Sequence, residues 1–322
     1  MAMVRTPLRV SFVGGGSDLP PGDGAVVSSA IDKFVWCIAR RRLDEKVYLT
    51  WTKKEIVDRP QDLEHDLARE SLLLLGWNEG IELLTFADVP GVGSGLGSSS
   101  ATCVAMLHAI LVLEGYRDEE IDREWLAELA CDVAICRLEK LQGRQDEYAS
   151  AIGGCQFIRF RSGIVRDIET IDLSPHERRV LGDHLLMFRS NGRERRTDEI
   201  LASFVDSQEF RAGCIEIAIS LSDYLKEGDF YEIGDLMAEH HRLKRSGFTK
   251  YSDSNDDGIL PNGSLAPDGL RFKLCGAGHG GHLLCHVLPE RQLVVRKELI
   301  DSWGPELPFN LNPNGSELIY KE

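Results

Sequence analysis

Residues 90–101 read Pro-Gly-Val-Gly-Ser-Gly-Leu-Gly-Ser-Ser-Ser-Ala, and this run carries the plainest chemistry in the chain. Gly91, Gly93, Gly95 and Gly97 lack a Cβ, so the backbone can turn tightly and lie close against a ligand. Ser98, Ser99 and Ser100 follow, with Ser98 placed to cap the apolar segment 101–113. The start of a helix offers unpaired N–H groups and the positive end of the macrodipole, which together attract anions. Phosphate is the expected guest; a tight turn before a capped helix is the plain alternative. Gly-Lys occurs nowhere in the sequence, so the P-loop signature is absent, and a dinucleotide fingerprint would need glycine at Ser98.

Three further stretches hold reactive residue types. Gly276-Ala-Gly-His-Gly-Gly281 satisfies Gly-x-Gly-x-x-Gly, but the segment behind it, Leu283–Leu288, reads as a strand and not the helix a dinucleotide site requires. It is expected to form a second glycine wall, bent over a ligand or another loop. Cys275, His279, His282 and Cys285 are zinc-ligand types, yet in a strand His282 and Cys285 face opposite sides. Residues 143–154, Gly-Arg-Gln-Asp-Glu-Tyr-Ala-Ser-Ala-Ile-Gly-Gly, place Asp146 in a turn after a helix, either facing a cleft or solvated on the surface. Asp253–Gly258 begins like an EF-hand loop, but its twelfth position is Ser264 and not the bidentate Glu, so a solvated acidic loop is expected.

The elements that must position these residues follow from periodicity. Leu8, Val10 and Phe12 alternate with polar residues and predict a half-buried strand stopping at Gly14-Gly15-Gly16. Segments 34–40, 46–52 and 81–86 read as strands; 62–75, 101–113 and a single amphipathic stretch 119–141 read as helices. Segments 199–226 and 230–245 are helical by spacing, 251–269 is a polar loop, and 271–274 and 282–288 are strands. A boundary is expected between residues 160 and 175.

Composition bounds the function. The 322 residues carry a net charge of −15 and are 43% hydrophobic, which suits a folded α/β enzyme and argues against nucleic acid or an anionic membrane as partner. No apolar leader precedes the first glycines and no run is long enough to span a bilayer. Eight cysteines without Cys-x-x-Cys read as buried, reduced thiols in a cytoplasmic protein.

In this order, the glycine-bearing stretches resemble the GHMP small-molecule kinases, the superfamily of galactokinase, homoserine kinase, mevalonate kinase and phosphomevalonate kinase. The loop 90–101 is similar to that family's phosphate motif, Pro7–Asp18 to the N-terminal motif of its sugar-kinase branch, and Leu274–Gly281 to its C-terminal glycine motif. Within the superfamily, 7–18, 143–154 and, more weakly, 192–201 resemble the D-glycero-D-manno-heptose 7-phosphate kinases. The resemblance implies an α+β, two-lobed fold with the active-site cleft between an N-terminal mixed α/β lobe, 1–172, and a C-terminal ferredoxin-like lobe, 173–322. It implies transfer of the γ-phosphate of MgATP to the anomeric hydroxyl of a heptose 7-phosphate, giving a heptose 1,7-bisphosphate on the way to a nucleotide sugar for surface glycans. ATP and Mg2+ are the implied cofactors, a sugar phosphate the partner, and a homodimer is compatible with the family.

Carried over by position, Gly93, Ser94, Gly95, Leu96, Gly97, Ser98, Ser99 and Ser100 wrap the triphosphate, with Ser98 on magnesium. Asp146 matches the position where some members place the catalytic base, and Arg9 matches one near the acceptor sugar and the transferring phosphate. Asp18, Gly15, Gly16 and Gly278 fall near the acceptor, while Arg193, Arg195, Arg196 and Lys244 are cations that could hold its 7-phosphate. Three departures stand out. Ala134 occupies the place of the family's metal-binding Glu, leaving Glu139, Asp132 or neither to hold magnesium. His279 replaces a glycine, and Glu147 replaces the commoner Gln, setting a second negative charge beside Asp146 that would favour a base. Two alternatives follow: an unphosphorylated acceptor such as fucose or a hexuronic acid, or a non-catalytic nucleotide-binding paralogue.

Overall fold

The computed structural model describes residues 1–90, 93–189, 206–246, 267, 270–276 and 281–322. Strand β1 (Ala2–Val13) pairs antiparallel with the long β2 (Gly24–Arg41). At 18 residues, β2 is long enough to serve two neighbours on its other edge. The two short strands β3 (Val47–Thr50) and β4 (Lys54–Val57) reach it through β5 (Ile81–Ala87), which pairs with its second half. Its first half pairs with β6 (Cys155–Arg161), which carries β7 (Ile164–Ile171). The helices of this lobe are α1 (Asp66–Leu74), α2 (Ser98–Glu114), α3 (Arg123–Cys131) and α4 (Gln145–Ile152). α2 is apolar on all sides and buried nearly throughout, as a central helix must be.

The second lobe is built on β8 (Leu185–Arg189), preceded by α5 (Pro175–Asp183). Helices α6 (Gln208–Glu227) and α7 (Ile233–Ser246) then lead to β9 (Arg271–Leu274), β10 (His282–His286) and α8 (Gln292–Ser302). The sheet order is β8-β10-β9, all antiparallel, and 305–307 adds a short fourth stretch on β8 through Arg189 N to Pro305 O and Leu307 N to Met187 O. That 4-1-3-2 order is the ferredoxin-like arrangement of an α+β fold in two lobes.

The chain then returns to the first lobe. Asn310 and Asn312 exchange backbone bonds with Asp32 and Ala30, and β11 (Glu317–Lys321) completes an eight-stranded sheet on β1. A buried chain of side chains holds this tail: Ser316 Oγ lies 2.7 Å from both Thr6 Oγ1 and His108 Nδ1, and His108 Nε2 lies 2.7 Å from Asp118. We therefore propose the lobe boundary near 172, with the tail from about residue 308 assigned to the first lobe.

Four local expectations change. Leu8–Val13 is buried at every position, Arg9 and Ser11 included, because helices of both lobes pack against β1. The α2 cap is Gly97 at φ +75°, so Ser98 is the first helical residue. The single helix 119–141 is a 3-10 turn, α3 and a π-helical stretch 132–137, whose bulge turns Cys136 out to solvent. Asp146 lies in the first turn of α4 and not in a turn outside a helix. Among the described residues, no helix is long and apolar enough to cross a membrane. Residues 251–266, Arg193, Arg195, Arg196, Gly278 and His279 lie outside the described residues.

Candidate active site

β5 delivers the chain to the glycine–serine loop, where Gly93, Gly95 and Gly97 take φ of +70°, +72° and +75°. These left-handed positions turn the loop into the start of α2 and leave the first N–H groups of that helix open. The C-terminal glycine stretch packs directly on it. A Cβ on Gly95 would stand 2.6 Å from the Cys275 carbonyl, and one on Gly281 would stand 2.5 Å from the Gly93 carbonyl. Of the two expected roles for that stretch, the one the described residues support is a wall against another loop. Ser94 Oγ and Ser98 Oγ lie 2.9 Å apart, and Ser94 Oγ accepts from Leu96 N.

Arg9 ties this loop to the carboxylate. Its Nη1 donates to Gly95 O at 2.6 Å, its Nε to Asp146 Oδ1 at 2.6 Å, and its Nη2 to Asp146 Oδ2. Burial works against the Arg9 charge, but the Asp146 carboxylate outweighs it and the guanidinium is held more firmly protonated than usual. Asp18 lies beside this pair, 2% exposed, with Oδ1 accepting from Gly16 N at 2.9 Å and Gln145 Nε2 at 3.0 Å. Burial raises its pKa. Gly143 is obligatory here, since a Cβ would lie 1.8 Å from Asp18 Oδ2. Arg211 pins the loop after Asp18 from α6, donating to the carbonyls of Ser17, Leu19 and Asp23. Lys244 from α7 reaches the same space, its Nζ 2.8 Å from Gly276 O and its Cε 3.8 Å from where a Gly16 Cβ would be. Arg9, Asp18, Gly15, Gly16, Asp146 and Lys244 thus converge beside the loop 93–100.

The proposed metal carboxylates do not join them. Glu139 is exposed at φ +50°, and Asp132 pairs with Arg137 on the outer surface. The carboxylate that touches the serine run is Glu147, whose Oε1 accepts from Ser100 Oγ and Gln142 Nε2, both at 2.7 Å. Glu147 is fully buried, its Oε2 has no partner among the described residues, and its pKa is pushed up to about 8 by burial and then by Asp146. The second negative charge expected beside Asp146 is therefore mostly a neutral acid at pH 7.

This sets the sign of a pH effect. Between the ordinary glutamate range and about 8, the folded chain keeps a proton that the unfolded chain has lost. Stability therefore falls as pH rises through that window, by up to about 1.4 kcal/mol per pH unit. Glu147→Gln, which keeps the acceptor and cannot ionise, is expected to flatten that slope in urea unfolding from pH 5 to 8. Parallel slopes for both proteins would refute a buried neutral acid.

With this geometry in view, the chain can be set against known proteins. Residues 61–154 match the sequence model of the GHMP kinases N terminal domain. Those residues form a GHMP kinases N terminal domain. Across 97% of this chain and 96% of the relative, it is 24% identical to D-glycero-alpha-D-manno-heptose 7-phosphate kinase of Campylobacter jejuni. It is 26% identical to the bifunctional fucokinase/GDP-fucose pyrophosphorylase of Arabidopsis thaliana, over 87% of this chain and 29% of that one. The fold of this chain matches a D-glycero-D-manno-heptose 1-phosphate kinase from Bacteriodes thetaiotaomicron with a TM-score of 0.79 at 19% identity, over all of both chains. It matches Lactococcus lactis galactokinase complexed with galactose at a TM-score of 0.74 and 17% identity, over 98% of this chain and 94% of that one.

Sequence reading missed Gln145 and Lys273 and misread Glu147. Gln145 and Glu147 stand in a motif already singled out, and Glu147 was expected to be charged, but nothing in their types announces that they are buried. Lys273, also buried, is a single Lys in a short strand, a pattern shared with any surface strand.

Proposed function

We propose that this protein is a GHMP kinase that transfers the γ-phosphate of ATP to the anomeric hydroxyl of a heptose 7-phosphate in the cytoplasm, yielding a 1,7-bisphosphate for nucleotide-sugar synthesis. The observation that carries the reading is the Arg9 bridge. One guanidinium joins Gly95 of the phosphate loop to both oxygens of Asp146, so nucleotide end and acceptor end meet at one side chain. Asp146 orients the attacking hydroxyl and receives its proton, and Asp18 and Gln145 shape the acceptor side. A bound Mg2+ would supply positive charge to offset that of the phosphates. Its fit here is a hydroxyl set, Ser98 with Ser94, beside the loop's open N–H groups; Glu139, exposed, is not carried into that role.

The test is an ADP-release assay over a panel of sugars. Heptose 7-phosphate is expected to react fastest, and the unphosphorylated heptose far more slowly. Equal or faster turnover of fucose or a hexuronic acid would move the acceptor to that class. ATP binding with no acceptor-dependent ADP release would leave only a nucleotide-binding paralogue.

A further inference from the structure

Lys273 sits in the middle of β9 and is 3% exposed. Strand alternation gives its direction. Phe272 and Leu274 pack into the cluster with Val295 and Leu299 of α8, so Lys273 and Cys275 face the other way, toward β1. Its Nζ donates to the carbonyl of Ser11. Lys244, 8% exposed, donates to the carbonyl of Gly276 at 2.8 Å. Among the described residues neither ammonium touches a carboxylate, whereas buried charges are ordinarily paired.

The space around them is unfinished in a consistent way. Ser11 Oγ, Gln145 Oε1 and His240 Nδ1 are buried with no partner among the described residues. Gly15 keeps the middle open, since a Cβ there would lie 3.2 Å from Ser11 Oγ and 3.3 Å from Gln145 Nε2. Gly276, which accepts from Lys244, packs on Gly95 of the phosphate loop, and Arg9 donates to that same glycine's carbonyl. The unpaired cations therefore stand where the triphosphate end of the loop meets the acceptor side.

We propose that Lys273 and Lys244, with Ser11, form a buried anion subsite for the phosphoryl group in transfer. This rests on the kinase reading above. In the step, the acceptor oxygen bonds to the γ-phosphorus as the bond to the bridging oxygen breaks. ADP keeps that electron pair, and the hydroxyl proton passes to Asp146. Charge spreads over the equatorial oxygens during this loose transfer, and two buried lysines already positioned by the fold meet it in a water-poor site.

Lys273 is also pushed down to about 7, first by burial and then by Lys244 and Arg9. The groups facing it are Cys275 on its own strand, Arg9 from β1, Cys214 from α6, and His240, His241 and Lys244 from α7. An arriving phosphate favours the charged form, so binding of a triphosphate at pH 7 draws in a proton.

The test is calorimetric titration with Mg2+ and either ADP or an imido-bridged ATP analogue, at pH 7, in phosphate-free buffers of low and high ionisation enthalpy. The wild-type chain is expected to take up protons with the triphosphate and fewer with ADP, a readout that needs no variant. Lys273→Met is expected to abolish that difference and weaken the triphosphate about tenfold, with ADP affinity kept within about twofold. Lys273→Arg, always charged, is expected to keep triphosphate affinity without proton uptake. Equal weakening of both nucleotides, or unchanged triphosphate affinity in Lys273→Met, overturns the subsite. Weakening confined to a phosphorylated sugar also overturns it, and reassigns the cations to the acceptor's own phosphate. If the wild-type chain binds neither nucleotide, the kinase reading itself falls, a result visible before any variant is compared.

Discussion

Asp146→Asn is expected to lower turnover by about 10²- to 10⁴-fold while ADP affinity changes little. The substitution keeps the shape of the side chain and one oxygen acceptor, but removes the charge that faces Arg9 and the lone pair proposed to receive the hydroxyl proton. Two effects must be separated. Arg9 has a side chain only 5% exposed, so losing its carboxylate leaves a buried guanidinium short of its counter-charge. Breaking a fully buried pair costs roughly 3–5 kcal/mol. Asp146 is 24% exposed, so solvent reduces the cost here below that range. The stability loss should appear in urea unfolding, and the kinetic loss should persist at temperatures where the variant is fully folded. Turnover within a few fold of wild type in the folded variant would show that Asp146 serves only to hold Arg9.

How much of this site could be read from the chain depends on the physical demand behind each residue. The glycine loops were legible because left-handed φ and sub-van der Waals approach leave glycine as the only residue that fits, and that demand writes itself into the sequence. Gly95 against Cys275 is the example. The break in 119–141 was not legible, because the apolar spacing runs on through the π-helical stretch 132–137 and one inserted residue per turn barely disturbs a periodicity. Non-local pairing was invisible too. Nothing near Glu317–Lys321 says that this strand belongs beside residues 2–5, about as far off in sequence as the chain allows.

Buried charge was the largest blind spot. Arg9 and Glu147 were found because they stand in motifs, but the environments of Glu147 and Lys273 come from packing between elements far apart in the chain. Glu147 lies between the serine run of α2 and Gln142, and Lys273 beneath Ser11 of β1. By type alone each is a surface residue. Their burial is what shifts their protonation, so the electrostatics of the site emerge only once the two lobes are assembled around β1.

Gly95→Ala is expected to separate strain from contact in the phosphate loop, because the chain contains its own control. Gly76 adopts φ +74°, nearly the same as the +72° of Gly95, yet a Cβ on Gly76 would meet nothing within 4 Å. Gly76→Ala therefore incurs only the left-handed penalty, about 1–2 kcal/mol. Gly95→Ala incurs the same penalty and also drives a methyl to 2.6 Å from the Cys275 carbonyl and 2.8 Å from its carbon. Both are backbone atoms at the end of β9, so no side-chain rotation relieves the clash. The loop must lift away from the C-terminal wall, carrying with it the Gly95 carbonyl that accepts from Arg9. A displacement that costs one further 1.4 kcal/mol at the nucleotide already amounts to tenfold in affinity. Gly95→Ala should thus weaken ADP by about tenfold or more and unfold at lower urea than Gly76→Ala, which should bind ADP like the wild type. If the two variants match in both measurements, the close contact between the glycine loops has no part in holding the nucleotide site.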